Sequence, residues 1–108
     1  MQKSQFELVL KQRHFQVNTP PFLLLAIRAQ AARLGIIVGK RFLARAVDRN
    51  LVKRMVRESF RRWRLRLPAV DLVVMLRQRV PGLDRVQLHV QIEALWQGLI
   101  EKARLTAG

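Results

Sequence analysis

The sequence predicts an α+β fold: a single domain over residues 1–108, ordered α-β-β-β-α-β-α, with helices packed on one sheet of about four strands. Short apolar runs of strand length lie at 22–28, 35–38 and 70–76, and the last two are rich in β-branched residues. Two longer segments, beginning at Ala46 and after Asp84, instead repeat their apolar residues at the helical period. The chain is 50% apolar and has no repeat, low-complexity tract or linker. A chain of this length can bury roughly two-thirds of its unfolded surface, so a real core is expected.

The first element is a short helix. Ser4-Gln5-Phe6-Glu7 fits a capping box, and Phe6, Val9 and Leu10 recur at i, i+3 and i+4 up to about Gln12. His14 to Asn18 alternates weakly, and Thr19-Pro20-Pro21 breaks it, because proline removes ladder donors. Phe22 to Arg28 and Gly35 to Val38 then read as strands. The polar, Ala-rich connection between them makes a hairpin the expected link. Residues 30–34 could instead form one helical turn.

The next helix starts at Ala46 in a segment that runs to about Leu67, where Pro68 stops it. Val52, Met55, Val56, Ser59, Phe60 and Trp63 share its apolar face. Lys53, Arg54, Arg57, Arg61 and Arg64, with Asn50 among them, cover an adjacent arc. Val70 to Leu76 has the length of a buried strand. Pro81-Gly82 is a turn signal, and Asp84 is the expected N-cap of a last helix with its stripe at Leu88, Ile92, Leu95, Trp96, Leu99, Ile100 and Ala103. Trp63 and Trp96 are spaced as core residues. The two long helices are expected on one side of the sheet, giving two layers.

Charge narrows the function. Twenty-one basic groups, 16 of them Arg, stand against seven acidic ones, a net charge of +14, and eleven of the cations fall between Lys40 and Arg66. Such clustering fits a polyanionic partner, and Arg over Lys tilts that choice to nucleic acid. There is no cysteine, signal-like segment or bilayer-length apolar run, so a soluble cytoplasmic protein with no membrane role is the default. The seven acids are scattered and gather no carboxylate cluster of the kind that holds catalytic Mg²⁺. Arg54 and Glu58 stand at i, i+4, ordinary helix pairing. His14 and His89 have no nucleophile beside them. No metal site and no catalytic residue is expected in the protein itself.

Arg49-Asn50-Leu51-Val52-Lys53-Arg54-Met55-Val56-Arg57, with Ala46 ahead of it, closely resembles the signature helix of the protein subunit of bacterial ribonuclease P. Leu34 to Arg41 resembles the strand and basic turn before that helix, and Asp71-Leu72-Val73-Val74 the strand after it. Leu51 departs from the pattern, since many members carry Arg there. The resemblance implies a βαβ unit of Leu34–Val38, the basic helix and Val70–Leu76 with a left-handed crossover, against the usual right-handed rule. It implies binding to the catalytic RNA subunit, which holds the Mg²⁺ and cleaves precursor tRNA to give the mature 5′ end. The RNA-binding set would be Lys40, Arg41, Arg45, Arg49, Asn50, Lys53, Arg54, Arg57 and Arg61. Phe6, Leu10 and Phe15 would border a cleft for the 5′ leader, with Leu10 standing where the family has an aromatic residue. No obligate protein partner is evident.

The residues keep other readings open. Phe6 fits the core as well as the cleft, Arg61, Arg62, Arg64 and Arg66 fit a solvated face, and Arg49 is placed to brace its helix against the sheet. A ribosomal or RNA-assembly protein would show a similar basic helix on a small sheet. A DNA-binding regulator would need a short helix and tight turn before Arg49, where the sequence reads as strand and glycine.

Overall fold

The computed structural model describes residues 1–106. Its elements are α1 (Lys3–Gln12), β1 (Phe15–Thr19), β2 (Phe22–Arg28), β3 (Arg33–Ile37), α2 (Ala46–Trp63), β4 (Val70–Leu76) and α3 (Arg85–Thr106), the expected order, in an α+β fold. A short 3₁₀ turn, Arg64–Arg66, follows α2, so the basic segment leaves α-geometry before Leu67.

The sheet order is β1-β2-β4-β3. β2 pairs antiparallel with β1 and with β4, and β3 pairs parallel with β4, as a βαβ unit requires. The hairpin expected between β2 and β3 does not form, and residues 30–34 make no helical turn. β4 inserts between those strands, and the Ala29 N–H donates to Ala69 O (2.9 Å) where the chain crosses the end of β4. The reason lies in which strands can be central. β2 and β4 are apolar on both faces, so both suit the interior of the sheet. β3 is short, carries Arg33 and Gly35, and tolerates an edge.

Each face of the sheet has its own core. On one, Phe15, Val17, Leu24, Leu72 and Val74 meet α2 and α3 through Val52, Val56, Trp63, Ile92, Leu95 and Trp96. α3 comes so close to β1 that a Cβ on Gly98 would lie 2.7 Å from Val17 Cγ1. The other face carries Leu25, Ile27 and Val73, covered by α1 through Val9, Phe6 and Leu10. The expected two layers therefore become three, because α1 is amphipathic and cannot leave Val9 in water.

The ends of the helices obey local chemistry. The Gln87 N–H donates to Asp84 Oδ1 (3.2 Å), so Asp84 caps α3 as expected. The capping box of α1 is shifted: Gln2 is the N-cap and its N–H donates to Gln5 Oε1 (2.8 Å). Ser4 lies inside the helix, and the Ser4–Glu7 box is not made.

Candidate nucleic-acid interface

α2 sorts its side chains as its period demands. Val52, Val56, Ser59 and Trp63 are buried, Met55 and Phe60 half-buried, and the cationic arc faces outward. Among the described residues, ion pairs join Arg33 to Asp71 and Arg62 to Glu93, at 2.7 and 3.7 Å. Lys53, Arg54, Arg57, Arg61 and Arg64 take part in neither, and the Arg54–Glu58 pair is not formed. A row of cations without acids, held on a rigid helix, is a surface for phosphates.

The other residues of the expected set divide. Lys40 and Arg41 lie exposed in the turn after β3, with the Arg41 guanidinium 5.7 Å from the Phe42 ring centre. Arg45 is the exposed N-cap residue of α2, and Asn50 is exposed in the same helix. Arg49 is half-buried and points back. Its Nη1 donates to Leu43 O (3.0 Å) and Ala44 O (2.7 Å), so it braces the turn ahead of α2 and not the sheet. That turn contains no helix, which removes the helix-turn-helix arrangement.

The three aromatic-cleft positions are not brought together. Phe15 is 4% exposed in the core under α3, with the Arg28 guanidinium 5.1 Å from its ring centre. Phe6 and Leu10 lie on the opposite face of the sheet, on α1. Strand parity decides this: Phe15 and Val17 share the face that α3 covers. On the α1 face, α1 covers the row Leu25, Val73 and Gly35, and the Phe6 ring lies directly over Gly35. The next row, Asn18, Leu23, Met75 and Ile37 across all four strands, stays partly open, with Ile37 37% exposed. Period-two alternation held the signal for this row, but only the strand order assembles it.

A groove of about 540 Å³ beside β3 joins the two halves of the expected site, with Phe6 on one side and Lys53, Arg57 and Arg61 on the other. Arg33 also lines it, but two hydrogen bonds of 2.7 and 2.9 Å tie its guanidinium to Asp71 and hold it protonated still more firmly.

Between α2 and α3 lies a part-buried polar cluster that the residue pattern does not predict. Trp63 Nε1 donates to Glu93 Oε1 (2.8 Å), Ser59 Oγ donates to Glu93 Oε2, and Trp96 Nε1 donates to Ser59 Oγ (2.7 Å). Burial pushes the Glu93 carboxyl up. The Ser59 and Trp63 hydrogen bonds, with the charges of His89 and Arg62, outweigh it and leave Glu93 below the ordinary range. Both tryptophans are core residues, as their spacing indicated. No group of three His, Cys, Asp or Glu among the described residues could hold a metal ion, and no described helix is long and apolar enough to cross a membrane.

Residues 1–100 match the Ribonuclease P family. The chain is 41% identical over 102 residues to the ribonuclease P protein component of Chromohalobacter salexigens, covering 92% of this chain and 79% of that one. It is 40% identical over 102 residues to that of Haemophilus influenzae, covering 93% and 85%. Its fold superposes on the RNase P protein of Staphylococcus aureus with a TM-score of 0.80 at 26% identity, covering 96% of this chain and 93% of that one. For the RNase P protein of Thermotoga maritima the TM-score is 0.72 at 29% identity, covering 85% and 88%. With its basic helix, mixed sheet and open cationic arc, the chain belongs to the bacterial ribonuclease P protein family, the protein component of a tRNA-processing ribonuclease.

Proposed function

We propose that this chain is a single RNA-binding domain that acts in the cytoplasm as the protein subunit of ribonuclease P. It binds the catalytic RNA and the 5′ leader of precursor tRNA and assists endonucleolytic removal of that leader. The observation that carries this reading is the row Lys53, Arg54, Arg57 and Arg61, displayed on one helix with no acid paired to any of them. Fixed cations of this kind replace the mobile counterions that otherwise screen RNA backbones brought together. Backbone contacts position without reading sequence, which suits a protein that serves many precursors. Cleavage and the Mg²⁺ ions belong to the RNA in this reading, consistent with a protein surface rich in Arg and poor in clustered carboxylates.

The leader is proposed to lie along the open row Asn18, Leu23, Met75 and Ile37, on the same sheet face as Phe6 and Leu10. Its apolar floor, with Lys40 and Arg77 exposed just beyond the ends of β3 and β4, suits unstacked bases trailing a phosphate backbone. Reconstitution with a ribonuclease P RNA tests both halves. The complex should cleave precursor tRNA at Mg²⁺ concentrations where the RNA alone is slow. Ile37→Glu should weaken precursor binding and leave mature tRNA binding unchanged. Cleavage by the protein free of RNA, or equal loss for both tRNAs, would overturn the corresponding half.

A further inference from the structure

A cavity of about 330 Å³ lies at the end of the sheet where β1 turns into β2 and β4 runs on toward α3. No residue of α2 lines it. Its floor is the buried Leu88 side chain, and Pro20, Pro21 and Val80 make its apolar sides. Hydrogen bonds within the protein hold these walls together. The Thr19 hydroxyl donates to Gln91 O (3.1 Å), and the Arg77 N–H donates to Pro21 O (2.8 Å). Between β4 and α3 the chain turns on Gly82 and Leu83, both left-handed at φ 76° and 36°. The half-buried Leu83 side chain packs on the core and fixes that turn. The cavity is therefore preformed and of small-ligand size.

Its polar groups are of three kinds. Asp84 brings a carboxylate, one oxygen of which already accepts from the Gln87 N–H and caps α3. That negative charge repels a phosphate from the interior. Gln78, Gln87 and Gln91 also line the cavity, and their side-chain amides make no hydrogen bond among the described residues. Each offers both donors and an acceptor. Arg79 is exposed, takes part in neither ion pair, and can hold an anion outside the mouth. An apolar slot beside prolines suits a flat ring, and a carboxylate with amides can read the ring's edge. Guanine matches this set best, because it alone among the common bases places two donor groups, N1–H and the N2 amine, side by side next to an acceptor, O6. We infer that this cavity binds one unstacked guanine nucleotide, its base over Leu88 and its phosphate at Arg79. A guanosine within an RNA strand and a free guanine nucleotide share that chemistry. Only the first source rests on the proposed function: Asn18 ends the open row two residues before Pro20, so a leader leaving that row passes the cavity.

The test titrates the full chain with GMP, IMP, AMP and inorganic phosphate and reads amide chemical shifts. GMP should shift Gln78, Gln87 and Gln91 saturably. IMP, which lacks the N2 amine, should bind about tenfold more weakly, the scale of one good contact to a base edge. Inorganic phosphate should leave the three glutamines in place. Gln87→Trp, at an exposed position, should fill the cavity and abolish the GMP shifts. Should that variant disturb the fold, Arg79→Ala provides the second measurement, weakening GMP and leaving guanosine unchanged. A further arm places single abasic sites along the leader of a precursor tRNA bound to the reconstituted complex. Loss of affinity at one guanosine in the wild type, absent in Gln87→Trp, assigns the nucleotide to the leader. GMP binding with no such position assigns a free nucleotide. Equal affinity for GMP, AMP and IMP, glutamine shifts with phosphate alone, or neither GMP binding nor an abasic effect overturns the inference. Cleavage by the reconstituted complex is unaffected by that result, so the cavity assignment falls alone. If the wild-type protein does not bind the catalytic RNA, the proposed function falls, and the GMP titration still decides the cavity.

Discussion

The two sides of α2 treat polar groups in opposite ways. Toward α3, Ser59 and Trp63 are tied into a cluster with Glu93 and Trp96, and no buried side-chain nitrogen or oxygen among the described residues lacks a partner. Toward solvent, Lys53, Arg54, Arg57 and Arg61 share a helix face with no acid paired to them. A buried polar group without a hydrogen bond costs stability, whereas an exposed unpaired cation costs little and stays available to a ligand. The contrast separates what holds the helix from what the helix presents. Substitutions on the two sides should therefore fail in different assays.

The strongest blow to the inner side is Trp96→Ala. It deletes a fully buried indole and the donor to Ser59. Urea denaturation should show a loss of about 3–5 kcal/mol. A loss below about 1 kcal/mol would mean that α3 is not held to α2 through this cluster.

Glu93→Ala should cost less, about 1–3 kcal/mol, by leaving Trp63 and Ser59 without their acceptor. The carboxylate also makes a pH prediction. Its folded pKa is depressed, so its contribution is complete above the ordinary glutamate value of about 4.3 and is lost as pH falls through the lower folded value. Stability of the wild type should thus decline through the acid range more steeply than that of Glu93→Gln. Equal slopes would show that Glu93 carries no linked proton.

Not all of this was visible in the order of residues. β2 and β4 were plain as apolar runs, and the outward arc of α2 followed from the helical period alone, because both signals are local. The neighbour of β3 was not plain from its own residues, since an apolar strand does not say which strand lies beside it; chain proximity pointed to β2, and only the βαβ unit implied by the family resemblance pointed to β4. Phe15 failed for a related reason. Alternation separates its face from that of Gln16 but does not say which face α1 will cover. Arg49 looked like the rest of its motif, yet its partners are two carbonyls of an irregular turn that carry no sequence signature. Glu93 reads in the sequence as one of the scattered helical acids, and only the packing of α3 on α2 brings it to Ser59 and Trp63.

On the outer side, Arg57→Ala should leave the unfolding free energy within about 0.5 kcal/mol of wild type, as for a surface residue that touches nothing. Its effect belongs in an RNA-binding titration. Affinity for the catalytic RNA should drop, and the slope of log affinity against log salt should become shallower by about 0.7–0.9 for one lost phosphate contact. A destabilised fold with an unchanged slope would place Arg57 on the wrong side of the comparison.

Asn50→Ala makes the finest cut. Asn50 is exposed and makes no side-chain hydrogen bond, so nothing in the fold depends on its amide. Alanine is the better helix former, and the substitution should raise stability slightly, by up to about 0.7 kcal/mol. The amide nevertheless sits among Lys53, Arg54 and Arg57, where it can donate and accept hydrogen bonds but releases no counterion. RNA affinity should therefore fall while the salt slope stays that of the wild type. Opposite signs in the two assays would be hard to obtain from a disturbed helix, which lowers both together. If affinity and stability fall in step, Asn50 supports the helix and does not read the ligand, and the outer face reduces to its charges.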